Sequence, residues 1–218
     1  TVCDTLLNVA ANDSVRIYTV QNGGYVSGWN SYGDISKCDV FSNYSPNTTI
    51  SGMGIYFYGV NDGGNGATVD FNVWNDNAGQ PGSIIASTQI TLSALDAAVP
   101  ANGGAYYITF SSPVNLNGNP IYCGITMNGF ASYPGGQDSL GIITNSIYDP
   151  TPNSGWEQFS NGSWYEFSDA SSWGIPISQY ILPIVCTGGG CALVLNISST
   201  DATCNNQNGQ ININVSGG

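Results

Sequence analysis

The stretch Trp156-Glu157-Gln158-Phe159-Ser160-Asn161-Gly162-Ser163-Trp164-Tyr165-Glu166-Phe167 holds the only two glutamates of the chain. Asn-Gly between alternating aromatic residues is a strong signal for a two-residue hairpin loop. Turned there, the strands pair Ser160 with Ser163, Phe159 with Trp164, Gln158 with Tyr165 and Glu157 with Glu166. Glu157, Phe159, Trp164 and Glu166 then share one face, with two carboxylates side by side. Like charges directly opposite destabilise a sheet unless solvent, a cation or a raised pKa relieves them. Three readings are open: a glycosidase pair beside a tryptophan, a Ca²⁺ site built on oxygen ligands, or two carboxylates that are solvated or out of register. The last is the plainest, because no other stretch supplies a catalytic cleft.

A second oxygen-rich cluster is "NDNAGQPG" (75–82), with Asp62 in "NDGGNG" (61–66). Asp76, Asn75 and Asn77 could join Asp62 on a calcium ion; the simpler alternative is Asx turns that satisfy local backbone groups. The metal candidates are thus Glu157, Glu166, Asp76 and Asp62, with calcium the only cofactor the sequence suggests. Tyr56, Tyr58, Trp74, Tyr107 and Tyr122 alternate against the core positions of their runs. Trp74, Trp164, Tyr56 and Tyr58 are the rings that could stack on sugars, although tyrosine also tolerates half-buried strand positions.

Nucleophilic catalysis has little to work with. The chain has no histidine, no Gly-x-Ser-x-Gly elbow, no phosphate-binding loop and no dinucleotide fingerprint. No catalytic residue is expected. Six cysteines (Cys3, Cys38, Cys123, Cys186, Cys191, Cys204) contain no Cys-x-x-Cys and read as disulfide candidates in an oxidising compartment, with the pairing open.

Two basic residues, Arg16 and Lys37, stand against 14 acidic ones, for a formal charge of −12. That balance argues against nucleic acid and anionic membranes, since nothing basic would neutralise phosphates. No apolar run approaches the ~20 residues of a membrane span. The first residue, Thr1, accords with a removed signal peptide or with a boundary.

These residues must be positioned by strands. Short β-rich runs punctuated by Gly, Pro, Asn and Asp predict strands at 15–20, 50–60, 67–75, 83–92, 105–110, 120–127, 139–145 and 178–186. In "ATVDFNVWN", Val69, Phe71 and Val73 face one way and Asp70 and Asn72 the other. "LSALDAA" (92–98) allows one helical turn at most. The expected fold is all-β: a two-sheet antiparallel, jelly-roll-like sandwich over 1–186, a glycine linker at 187–190, and a partial Ig-like module over 191–218.

The last part, with "L-N-I-S-S-T-D-A-T-C" (195–204) and "N-G-Q-I-N-I-N-V-S-G-G" (208–218), resembles the opening of an SprB-type repeat of Bacteroidota cell-surface proteins. The second half of such a repeat, with its partner cysteine, would lie beyond Gly218, and Cys191 is the nearest local partner for Cys204. Residues from about 20 to 186, carried by "WNDNAGQPGSIIASTQITL", "YYITFSSPVNLNGNPIYCGI" and "GWEQFSNGSWYEFSD", resemble the N-terminal β-sandwich of secreted Bacteroidota proteins exported by type IX secretion. Those motifs are structural rather than catalytic. Asp-[Ser/Thr]-hydrophobic, the O-glycosylation sequon of that phylum, marks Thr5, Ser14 and Ser139. Together these imply an extracellular, non-enzymatic cell-surface protein, structural or adhesive. Its partners would be other copies or neighbouring surface proteins, engaged by β-strand addition into a filament. The alternative is a carbohydrate-binding module, calcium-dependent or not, that takes a glycan.

Overall fold

The computed structural model describes residues 1–132, 137–150 and 153–188, together with the backbone of two strands at 194–200 and 210–216. The strands are β1 (Cys3–Thr5), β2 (Ser36–Phe41), β3 (Thr49–Asn61), β4 (Thr68–Asp76), β5 (Pro81–Thr91), β6 (Gly104–Asn115), β7 (Ile121–Asn128), β8 (Ser139–Ile142), β9 (Gly155–Gln158), β10 (Trp164–Glu166) and β11 (Ile181–Cys186). β12 (Val194–Thr200) and β13 (Gln210–Ser216) pair as a separate two-stranded sheet. The other residues of 189–218, with Cys191 and Cys204, lie outside the described residues.

Each run has one apolar row, and two rows must meet to be buried. One sheet has the order β1-β11-β3-β6, with β8 also pairing β3; the other runs β10-β9-β2-β7-β4-β5, and all pairings are antiparallel. The all-β sandwich expected from the sequence is therefore the fold. Val69, Phe71 and Val73 of β4 are fully buried against Ile55 and Phe57 of β3, within one core that also holds Ile125, Leu140 and Ile142. Asp70 points outward and accepts from the Gln89 and Asn128 amides at 2.7 and 3.0 Å.

Two expectations change. Residues 15–20 make isolated bridges rather than a strand, at Arg16–Thr144 and Thr19–Tyr25. The chain reverses at Gly23 and Gly24, both at positive φ, too soon for a ladder to grow. "LSALDAA" forms a full short helix, α1 (Leu92–Ala98). Thr91 caps it by accepting from the Ala94 N–H, and Leu92 and Leu95 are buried.

The cysteines divide by geometry. Cys3 and Cys186 face each other across β1 and β11 and form a disulfide. Cys38 and Cys123 are buried free thiols, against the expectation that they would be bridged. They sit on neighbouring rungs, Cys38 opposite Gly124 and Cys123 opposite Asp39. Successive strand residues point to opposite faces, so Cys38 joins Trp74, Tyr122 and Trp156 outside the sheet while Cys123 enters the core. Burial, and then the nearby Asp39, push both thiols well above their usual range.

The Cys3–Cys186 bond closes a 183-residue span, which chain entropy values at roughly 5 kcal/mol. Cys3→Ser should therefore lower the urea midpoint strongly and raise the slope, because the unfolded chain without its cross-link exposes more surface. Alkylation of the unfolded, unreduced protein should label Cys38 and Cys123 and spare Cys3 and Cys186, as read by peptide mass mapping.

Candidate functional site

Alternation along β2 sends Ser36, Cys38 and Val40 outward and Lys37, Asp39 and Phe41 inward. Lys37 is completely buried. Its rung partner on β9 is Glu157, and the ammonium donates to Glu157 Oε2 at 2.6 Å and to Asp34 Oδ2 at 2.9 Å. Asn30 Nδ2 also donates to Asp34 Oδ2, at 2.7 Å. Glu157 accepts two further bonds: Ser172 Oγ donates to Oε1 at 2.6 Å and Trp173 Nε1 to Oε2 at 2.7 Å. The Lys37 ammonium lies 5.5 Å from the Phe167 ring centroid and 6.0 Å from that of Trp173, within cation–π range. Burial alone would raise Asp34, but Lys37 and the Asn30 amide outweigh it and hold its carboxyl low. Burial raises Glu157 despite the opposing pull of Lys37.

The hairpin register explains why the two glutamates part. The loop holds three residues, Ser160-Asn161-Gly162, closed by Phe159 N–H to Ser163 O and Gly162 N–H to Phe159 O, with Gly162 at φ +87°. Trp164 therefore pairs with Gln158, Tyr165 with Glu157 and Glu166 with Trp156. A slip of one residue puts the glutamates on opposite faces. Glu157 goes to the buried lysine, while Glu166 stays exposed and accepts from Ser168 Oγ.

Three loops open a cavity of about 480 Å³ above this network. Each is built alike: an Asn or Asp side chain accepts from the backbone N–H two residues on, as in Asn30 with Tyr32, Asn161 with Ser163 and Asp169 with Ser171. Each also turns on a glycine at positive φ, namely Gly33, Gly162 and Gly174. The walls are the rings of Tyr32, Phe159 and Trp173, with Tyr32 and Trp173 edge to face at 5.5 Å. Asp34 and Glu157 form the acidic floor, and Ser160, Asn161, Ser171 and Ser172 the polar rim.

The other sequence candidates lie elsewhere. Asp62 accepts from Gly64 N–H, which is Asx-turn geometry, and Asp76 accepts from Gly79 N–H within its own turn and from the Tyr122 hydroxyl across the sheet. Among the described residues, no group of three or more carboxylate, thiol or imidazole side chains is placed to hold a metal ion. Trp74 is buried and packs edge to face on Trp164 at 5.4 Å, so its ring offers no open face. Tyr56 and Tyr58 are exposed on the other sheet. Thr5 is exposed, and Ser14 and Ser139 are half-buried. Sequence reasoning passed over Lys37, Asp34, Tyr32 and Trp173. The available signal was a single lysine inside a strand-like run with Asp34 three residues before it.

No family model matches the chain, and no curated protein matches it. Among solved structures, the clostridial cysteine protease Cwp84, in a form with one cysteine replaced by alanine and after propeptide cleavage, is similar in fold. The TM-score is 0.51 at 15% identity, over 80% of this chain and 40% of that one. The likeness is one of fold alone, and this chain spans under half of that protein's length.

Removing the buried cation leaves two carboxylates uncompensated, so Lys37→Met should cost roughly 3–5 kcal/mol. The loss should be smaller at pH 4 than at pH 7, because lower pH favours a proton on a buried carboxyl that has lost its cation, as measured by urea unfolding at both values. Asp39, also fully buried, accepts from the Gln179 backbone N–H and from Ser154 Oγ, at 3.0 and 2.7 Å. Burial outweighs those donors and lifts its carboxyl to about 6. The folded protein then binds more protons than the unfolded chain between about pH 4 and 6, so this group makes stability fall as pH rises through that window. Asp39→Asn should flatten the corresponding fall in Tm.

Proposed function

We propose that this chain is a non-enzymatic, extracellular adhesive module of a cell-surface protein, and that it holds a saccharide in the cavity beside Lys37. The observation that carries this reading is the lining: three aromatic rings that could stack on sugar faces, set against serine and asparagine acceptors and donors that suit hydroxyls. The lining is as polar as it is apolar, which suits a ligand that presents both ring faces and hydroxyls. The Cys3–Cys186 disulfide supports an oxidising, extracellular setting. The resemblance to exported Bacteroidota modules supports the cell surface. No helix among the described residues is long and apolar enough to cross a membrane.

Turnover fits the same geometry poorly. A glycosidase acid must deliver a proton to a leaving group, yet both Glu157 oxygens already accept protein donors. Calcium is not required in this reading, because Lys37 supplies the positive charge between the two carboxylates. Binding to a panel of neutral oligosaccharides, followed by intrinsic tryptophan fluorescence, should show saturable binding of at least one sugar. Trp173→Ala should weaken that binding at least tenfold, and EDTA should leave it unchanged. Saturable binding that survives Trp173→Ala, or no binding across the panel, would count against the pocket.

Self-association is a second reading, favoured by β12 and β13. They pair fully with each other, from Val194–Ser216 to Thr200–Gln210, and with no other described strand. A two-stranded sheet is marginal alone, and strands from another copy would extend it. Sedimentation velocity should then show concentration-dependent assembly; a monomer at all concentrations would refute it.

A further inference from the structure

The outer face of the five-stranded sheet carries a row of tyrosines with no role in the cavity described above. Ile55 and Phe57 of β3 are fully buried, so Gly54, Tyr56 and Tyr58 point outward. Tyr107 is the rung partner of Gly54. A Cβ at Gly54 would run into the Tyr107 ring, and one at Gly141 would come within 2.8 Å of the Tyr25 ring. Each glycine thus leaves room for a ring to settle onto the sheet. Tyr107 is nonetheless 54% exposed, and Tyr58 48%. The Tyr107 ring rests on the sheet at Gly54 and is open above. Tyr25 meets Tyr58 at 5.8 Å, and Tyr180 meets Tyr56 at 6.2 Å. From Gly54 to Tyr58 the row runs roughly 13 Å along the strand, longer than a single sugar ring.

At its Tyr58 end the row meets a hollow of about 430 Å³ lined by Tyr25, Tyr58, Asn61, Asn102 and Ser139. These side chains offer amides and hydroxyls and no charge. Carboxylates lie on the β11 flank of the row, where Tyr180 stands beside Tyr56: burial, then Asp13 and Asp149, raise the Tyr180 phenol. With a chain charge of −12, the surroundings repel a polyanion and leave a neutral ligand unopposed.

We propose that this tyrosine face is a second binding site, independent of the Lys37 cavity, that takes an uncharged, extended polysaccharide laid along β3 with its end in the Asn61–Asn102 hollow. The rings stack on successive sugar faces, and the phenols and amides bond the hydroxyls at the edges.

The full chain would be incubated with insoluble cellulose and chitin as neutral polymers, and with alginate gel as an anionic one. Retention on a neutral polymer and not on alginate is expected. The Tyr58→Ala/Tyr107→Ala pair should reduce retention at least tenfold. Gly54→Ala keeps every tyrosine but displaces the Tyr107 ring, and should reduce retention severalfold. Trp173→Ala should leave polymer retention unchanged, which separates failure of this face from failure of the cavity. Far-ultraviolet circular dichroism and Tm confirm that each variant is folded. No retention of the folded wild type on either neutral polymer, equal retention of the tyrosine variants, or preference for alginate would overturn the proposal.

Discussion

Lys37 lies fully buried with its ammonium between Asp34 and Glu157, and one end of the sandwich is arranged around the need to keep that charge paired. Desolvating an ammonium costs several kcal/mol unless carboxylates and hydrogen bonds replace water. Here β2 brings the lysine and β9 brings Glu157 onto the same rung. The loop before β2 brings Asp34, held by Asn30. The loop after β10 brings Ser172 and Trp173 to donate to Glu157 as well. These segments are thereby tied into one ion network, and the cavity is the space their loops leave above it. Its shape rests on an ion network beneath a polar rim rather than on apolar packing alone.

The same strand serves two interiors. Lys37 and Asp39 point toward the loops that fill the sandwich end, whereas Cys38, one residue between them, points to the outer cluster of Trp74, Tyr122 and Trp156. Strand alternation therefore explains at once why a lysine is buried, why two cysteines in one sheet stay reduced, and why Trp74 is covered although it lies on an outer face. The two proposed binding surfaces follow from it as well: the cavity at the β9–β10 edge of one sheet, and the tyrosine row on the outside of the other.

Much of the fold was legible in the sequence. Period-two alternation in "ATVDFNVWN" and turn signals at "NDGGNG" and "NAGQPG" placed β3, β4 and β5 within a few residues, because local pattern and burial agree there. The site was less legible, for two physical reasons. Asn161-Gly162 was read as a two-residue loop that sets the two glutamates side by side, but Gly162 at positive φ closes a three-residue loop, and that single residue of register parts them and leaves only Glu157 buried. A lone lysine in a short run reads as solvent-facing, and only tertiary contact with Asp34 and Glu157, the latter 120 positions away, reverses that. The tyrosines Tyr56 and Tyr58 were recognised by alternation. Their support by Gly54 and Gly141 through Tyr107 and Tyr25 is a cross-strand property that no single run displays.

The five tryptophans offer a direct test of the central claim that a pocket held by the Lys37 network receives a saccharide. In a ¹⁵N-labelled sample, each indole N–H gives its own resonance. Titration with a binding oligosaccharide should shift the Trp173 indole signal, while its bond to Glu157 keeps it protected from solvent exchange. Those of buried Trp74 and Trp156 should stay in place. A saccharide that binds without moving Trp173, or a Trp173 indole that exchanges freely with water in the unliganded protein, would contradict the account.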